Sequence, residues 1–119
     1  MEKQHLVFVY GTLRQSRSNH KLLGEAYYYG IGSTRDNYAM YIAGSYPYVI
    51  STEARYPIVG ELYAVDDDSL DRLDKMEGHP RYYTRREIVV TVEGTEYLSW
   101  MYFRDPRGSL MPTGDFKSL

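Results

Sequence analysis

Apolar residues occur in short runs along most of this chain, and the first run is uninterrupted. Residues 6–10, Leu-Val-Phe-Val-Tyr, are all apolar or aromatic, and the run ends at Gly11. An unbroken run of this length is typical of a central strand that is covered on both faces. Further strands are predicted where β-branched and aromatic residues cluster between Gly, Pro and Ser positions, at residues 26–33, 38–43, 46–51 and 58–65.

One clear helix is predicted after these strands. Three consecutive aspartates, residues 66–68, lie near the positive end of the helix dipole and favour a helix start there. Gly78 ends the helix, and Pro80 prevents its continuation. A short helical turn is also predicted earlier in the chain, over residues 20–23.

The last two predicted strands, residues 81–92 and 95–103, form a hairpin around Glu93-Gly94. Residues 104–119 are rich in Pro and Gly, and we expect a loop-like or frayed tail. The predicted class is therefore α+β: a small, mostly antiparallel, strongly curved sheet that resembles a β-barrel, with one clear helix at its mouth. A length of 119 residues favours a single domain over residues 1–119, with its core at about 5–103.

Charge and composition exclude several classes of function. Fourteen basic against sixteen acidic residues give a net charge of −2, whereas nucleic-acid binders usually carry a basic excess. The chain has no cysteine, so we expect neither disulfides nor a thiol nucleophile. We also expect no targeting segment and no membrane-spanning helix, and we predict a cytoplasmic protein. The fourteen tyrosines favour either a β-rich protein with tyrosines around its core or an aromatic-lined pocket.

Glu77 is the candidate for acid–base chemistry. At 100° per residue, it shares a helix face with Leu70 and Leu73, so a face that should be buried ends in a carboxyl group. Burial and the negative end of the helix dipole both raise the pKa of a glutamate, towards the range in which it exchanges protons at neutral pH. The alternative is an ordinary surface glutamate that is solvated or paired with an arginine.

The second candidate site is the turn Tyr10-Gly11-Thr12-Leu13, at the end of the first strand. A glycine there lets the backbone approach a ligand closely, and consecutive backbone N–H groups can form an anion-binding concavity. The alternative is an ordinary turn that ends a strand. The turn is not a phosphate-binding loop, because no Gly-Lys-Ser/Thr sequence follows it.

A third segment, residues 79–86, mixes basic and aromatic residues. In a strand, Tyr83 and Arg85 point to one face and Tyr82 and Arg86 to the other. The segment is then a solvated sheet edge, a nucleic-acid patch, or a pair of residues that supports the site beside Glu77. The three histidines lack metal-ligand spacing, and no serine nucleophile motif is present, so we expect no metal or cofactor.

Together these motifs resemble the γ-glutamylcyclotransferase-like (AIG2-like) family over about residues 5–103. The resemblance rests on residues 8–13 (Phe-Val-Tyr-Gly-Thr-Leu), on Gly-Glu-Leu-Tyr at 60–63, and on the run from Leu70 to Arg85 that contains Glu77-Gly78. Thr12 stands where the glutathione-pathway branches commonly have serine. The chain therefore looks more like the compact branch that includes γ-glutamylamine cyclotransferase.

The resemblance implies a small mixed β-barrel-like fold and a metal-independent enzyme that forms 5-oxoproline from a γ-glutamyl compound and releases an amine or amino acid. It implies that Glu77 is the acid–base catalyst and that Tyr10, Gly11, Thr12 and Leu13 bind the substrate, with Tyr83 and Arg85 beside them. The alternatives are a non-catalytic module that binds a small metabolite and an adaptor that binds a macromolecule. Oligomeric state is not predicted.

Overall fold

The computed structural model describes residues 4–11, 23, 26–44, 46–104 and 109–116. Most of the short helical turn predicted at 20–23 lies outside these residues, as do Thr12 and Leu13. The described residues form eight strands and one helix. These elements are β1 (His5–Val9), β2 (Tyr27–Thr34), β3 (Ala39–Ala43), β4 (Tyr46–Ile50), β5 (Val59–Val65), α1 (Asp67–Glu77), β6 (Thr84–Val92), β7 (Thr95–Phe103) and β8 (Ser109–Leu110).

The strands form one mostly antiparallel sheet in the order β1-β5-β2-β6-β7-β4-β3-β8. Strand β1, at one end of this order, also pairs in parallel with β7, with Val7 opposite Trp100. This pairing closes five of the strands, β1, β5, β2, β6 and β7, into a ring. The α+β class and the curved, barrel-like sheet with one clear helix are thereby confirmed. No helix in the described part of the chain is both long enough and apolar enough to cross a membrane.

Strand β1 is buried on both faces, as its unbroken apolar sequence predicts. Phe8 packs into the cluster of buried side chains inside the barrel. Val7 and Val9 pack in a second cluster with Leu70 and Leu73 of α1. Because successive side chains of a strand alternate between its faces, one apolar run supplies both clusters. Burying each large apolar side chain stabilises the fold by roughly 1.5–3 kcal/mol.

Helix α1 is capped at both ends by the residues that mark its ends in the sequence. The Asp66 carboxylate accepts a hydrogen bond from the backbone N–H of Ser69 at 2.8 Å, which satisfies one donor of the first turn. Gly78 adopts the left-handed conformation (φ 69°), and its N–H caps the carbonyl groups of Asp74 and Lys75. The helix therefore ends directly after Glu77, and that residue lies where the polypeptide leaves α1.

The expectation of a frayed tail outside the core is wrong for residues 109–116. Strand β8 pairs with β3, and the backbone N–H of Met111 donates to the Met40 carbonyl at 2.8 Å. Met111 and Phe116 are buried in the cluster inside the barrel. Two apolar residues separated by Pro, Gly and polar residues show no periodicity, so the sequence pattern did not indicate their burial.

Candidate active site

A cavity of about 400 Å³ opens at one end of the sheet, where β1 and α1 both end. Its wall is largely aromatic, and the aromatic side chains that line it are Phe8, Tyr10, Tyr46, Tyr48, Tyr83 and Tyr102. The tyrosine-rich composition therefore serves both of the roles predicted for it, because tyrosines pack in the core and also line a pocket. Small-molecule sites are typically concave and mostly apolar, with a few polar groups in place.

Glu77 lies in the cavity wall at the last residue of α1. Leu70 and Leu73 are buried on the same helix face, which directs the Glu77 carboxyl group into a partly enclosed space. Burial raises the pKa of Glu77 to about 7, although the positive charge of Arg104 opposes this rise. A carboxyl group with a pKa near neutrality can both accept and donate a proton at physiological pH.

Tyr10 fixes the start of the predicted substrate-binding turn. Its hydroxyl donates to the backbone carbonyl of Tyr102 at 2.8 Å and accepts from the backbone N–H of Val49 at 3.3 Å. These two bonds connect the end of β1 to β7 and β4. Burial is the main cause of the raised pKa of Tyr10, so its hydroxyl stays neutral and acts here as a structural tie.

Gly11 follows Tyr10 in the cavity wall and is in close contact with Pro47. A Cβ atom at this position would lie 2.9 Å from the Pro47 Cγ, which is closer than a real Cβ atom lies to its neighbours. The need for glycine here therefore comes from space rather than from unusual dihedral angles. Thr12 and Leu13, the remaining residues of the turn, lie outside the described part of the chain.

We expect Gly11→Val to raise KM by about tenfold or more, because its side chain must displace either Pro47 or the turn that borders the cavity. Gly11→Ala should cause a smaller rise, since it adds only the Cβ atom. Steady-state kinetics on both variants, with melting curves to confirm that they fold, test this. An unchanged KM in Gly11→Val would show that the turn does not border the bound substrate.

Tyr83 also lines the cavity, beside Glu77. Its backbone N–H donates to the Glu77 carbonyl at 3.3 Å, which holds the chain after α1 against the end of the helix. Burial is the first cause of the raised pKa of Tyr83, and the nearby Glu77 carboxylate adds to it. The structure thus brings together Tyr10, Gly11, Glu77 and Tyr83 from the predicted set.

Arg85 is not among the residues that line this cavity. Its Nε donates to Asp74 Oδ1 at 2.8 Å, and its guanidinium lies 4.2 Å from the centre of the Trp100 ring. The Tyr102 hydroxyl donates to the same Asp74 oxygen at 2.7 Å. Asp74 is one turn before Glu77 on α1, so this network attaches the last turn of the helix to the sheet.

We expect Asp74→Asn to lower the free energy of unfolding by about 1–3 kcal/mol, because it weakens two hydrogen bonds to a charged acceptor. Burial would raise the pKa of Asp74, but the bonds from Arg85 and Tyr102 outweigh it, so the pKa lies below its usual value of 3.8. The stabilising effect of the charge is therefore fully present above about pH 4 and is lost as the pH falls through the folded-state pKa.

Denaturant unfolding of wild type and Asp74→Asn at pH 7 and at pH 2–3 measures this difference. Asp71→Asn is the matched control, because Asp71 lies on the same helix and pairs with Lys75 on the exposed face. An Asp74→Asn variant as stable as Asp71→Asn at pH 7 would contradict the network's role.

Arg104, Tyr48 and Tyr102 line the cavity but were not predicted from the sequence. Arg104 directly follows β7, just as Tyr10 directly follows β1. Because β1 and β7 are parallel neighbours, the residues after both strands meet at one end of the sheet. Their pairing joins residues far apart in the sequence, and this placement could be found only from the structure.

Comparisons with known proteins agree with this geometry. The family described as "Gamma-glutamyl cyclotransferase, AIG2-like" matches residues 7–118, so its match extends through the tail that sequence motifs had left outside it. A Methanocaldococcus jannaschii relative named "Putative gamma-glutamylcyclotransferase" is 42% identical over 114 residues, covering 93% of this chain and 94% of the relative. The Mus musculus protein named gamma-glutamylaminecyclotransferase is 33% identical, covering 87% and 72% of the two chains.

A solved structure gives the same result for the fold. The crystal structure of an AIG2-like protein from Mus musculus superposes with a TM-score of 0.81 at 28% sequence identity. The superposition covers 88% of this chain and 80% of the mouse chain. The shared architecture therefore extends over most of both molecules.

Proposed function

Because the chain belongs to the γ-glutamyl cyclotransferase, AIG2-like family, we propose that it converts a γ-glutamyl compound into 5-oxoproline and a free amine or amino acid. Its relatives support an enzyme activity of this kind. The observation that carries the proposal is Glu77, a carboxyl group in an aromatic-lined cavity whose pKa burial raises to about 7. The reaction needs such a group for its proton transfers.

In the proposed mechanism the substrate supplies its own nucleophile. Glu77 takes a proton from the α-ammonium group of the glutamyl part, and the freed amine attacks the γ-carbonyl carbon of the same molecule. A C–N bond forms and closes a five-membered ring, and the carbonyl oxygen becomes a tetrahedral oxyanion. Holding the substrate folded in the cavity supplies the effective concentration for this closure.

The tetrahedral intermediate then collapses. The bond from the former carbonyl carbon to the leaving nitrogen breaks, and Glu77 returns its proton to that nitrogen, which leaves as a neutral amine. The ring nitrogen still carries two hydrogens, so it gives one as a proton to the Glu77 carboxylate, and the released amine then takes up this proton and leaves Glu77 ionised for the next cycle. Backbone N–H groups of the turn that begins at Gly11 would bind the oxyanion or the substrate carboxylate. One carboxyl group thus serves all of these proton transfers, and the proposed reaction requires neither a protein nucleophile nor a metal ion.

Screening γ-glutamyl amino acids and γ-glutamylamines for 5-oxoproline release, with EDTA in the buffer, tests the proposal. We expect turnover of at least one of these compounds by wild type and its loss in Glu77→Gln. Binding of the compounds without any turnover would instead identify a non-catalytic module for a small metabolite. Salt-sensitive binding of a macromolecule through the exposed Tyr82 and Arg86, without turnover, would identify an adaptor.

A further inference from the structure

The cavity contains one basic side chain among its described lining residues, that of Arg104. The acidic side chain among the same lining residues is that of Glu77. Two opposite charges that face one small cavity would ordinarily form an ion pair. No carboxylate oxygen of a described residue lies within 4.0 Å of an Arg104 nitrogen, however, so the guanidinium does not form a salt bridge with Glu77.

The position of Arg104 is fixed by its backbone and by aromatic rings. Its backbone N–H donates to the Val49 carbonyl at 2.9 Å, which attaches the end of β7 to β4. Its guanidinium carbon lies 5.4 Å from the centre of the Tyr83 ring and 5.9 Å from that of Tyr48. Cations at these distances from an aromatic ring are attracted to it. The two rings therefore hold the guanidinium in place without neutralising its charge.

Arg85, which lies near the site, differs from Arg104 in how its charge is paired. Arg85 lies outside the cavity wall, and Asp74 neutralises its charge at 2.8 Å. Arg104 lies in the cavity wall, has no such partner among the described residues, and carries five N–H donors in a planar arrangement. This arrangement matches the two oxygens of a carboxylate, which is the anionic group of γ-glutamyl amino acids and γ-glutamylamines.

We propose that Arg104 binds a carboxylate group of the substrate and so selects carboxylate-bearing γ-glutamyl compounds. This inference rests on the proposed function for the identity of the substrate. Two carboxylates qualify: the α-carboxylate of the glutamyl part, which remains in 5-oxoproline, and the carboxylate of a leaving amino acid. A γ-glutamylamine carries the first but not the second.

The test measures dissociation constants by calorimetry and does not depend on turnover. The probes are 5-oxoproline, its decarboxylated counterpart 2-pyrrolidinone, γ-glutamylalanine and γ-glutamylethylamine, which is γ-glutamylalanine without the alanine carboxylate. The two γ-glutamyl compounds are measured in a Glu77→Gln background, so that they are not consumed. Arg104→Gln is the test variant, and Arg86→Gln, an exposed arginine of β6 outside the cavity wall, is the matched control.

If Arg104 binds the glutamyl carboxylate, Arg104→Gln should weaken the binding of 5-oxoproline and of both γ-glutamyl compounds by about 10–100-fold. The affinity for 2-pyrrolidinone should not change. If Arg104 binds the leaving-group carboxylate, only the binding of γ-glutamylalanine should weaken, by a similar factor. Arg104→Lys keeps the charge and should lose less than Arg104→Gln. Should Arg104→Gln fail to fold, weaker binding of the carboxylate probes by Arg104→Lys than by wild type is the expected result.

Three results would overturn the assignment. The first is unchanged affinity of every carboxylate probe in a folded Arg104 variant, and the second is equal weakening in the Arg86→Gln control. The third is that protein with Arg104 intact binds none of the carboxylate-bearing probes. Failure of the proposed function is a separate result, seen as no 5-oxoproline release by protein with Glu77 intact, and it leaves these binding constants interpretable.

Discussion

Replacing Glu77 by glutamine should lower kcat for 5-oxoproline release by about 10²–10⁴-fold, which is the usual contribution of a positioned acid–base group. The amide has nearly the shape of the carboxyl group but cannot accept a proton from the substrate ammonium group. Because Leu70 and Leu73 bury the same helix face independently of residue 77, the variant should fold. Steady-state kinetics on the best substrate of the screen measure the loss.

The stability of the same variant provides an independent check. Burial raises the folded-state pKa of Glu77 above its ordinary value of 4.5, so ionisation at neutral pH destabilises the fold. This destabilisation develops as the pH rises from about 4.5 to 7, and Glu77→Gln should remove it and raise the melting temperature at pH 7–8. Glu96→Gln, on the exposed β6–β7 hairpin, is the matched control. Turnover of Glu77→Gln near that of the control would show that Glu77 is not the acid–base group.

The second large effect is expected in the pH dependence of kcat/KM, which reports groups of the free enzyme. Only the deprotonated Glu77 can act as the base, so kcat/KM should fall about tenfold per pH unit below a midpoint near 7. The loss between pH 7 and pH 5 is then on the order of 100-fold. Circular dichroism across this range separates the titration from acid unfolding.

Replacing Arg104 tests whether the midpoint of this pH profile belongs to Glu77. Its positive charge opposes the rise in the Glu77 pKa, so Arg104→Gln should move the acid limb to higher pH. Arg86→Gln, with its charge outside the cavity wall, should leave the midpoint in place. A wild-type limb near pH 4.5, the ordinary value for glutamate, would indicate that Glu77 is solvated in the working enzyme.

The sequence predicted the elements whose signals are local. The apolar run of β1 identified a strand buried on both faces, and the residues at the two ends of α1 identified the helix. Helix periodicity also placed the Glu77 carboxyl group on the buried face with Leu70 and Leu73. Each of these inferences needs only a few neighbouring residues, and for that reason each could be made from the chain alone.

Features that depend on distant pairings could not be predicted in this way. The parallel pairing of β1 with β7 brings Arg104 to the cavity, and no pattern around Arg104 indicates it. Arg85 was grouped with Tyr83 because alternate residues of a strand share a face, yet Asp74 and Trp100 hold Arg85 outside the cavity wall. Strand periodicity gives the face of a side chain but not its partners.

The closure of the barrel also sets the order in which the chain can fold as it is synthesised. Val7 of β1 pairs with Trp100 of β7, 93 positions later in the sequence. One edge of β1 can pair with β5 as soon as residues 61–65 have been translated, but its other edge must wait for β7. Folds dominated by such distant contacts form slowly, because the loop must close before the contact is gained. Until then β1 has one unpaired edge, so the nascent chain is vulnerable to aggregation at the segment that later borders the cavity.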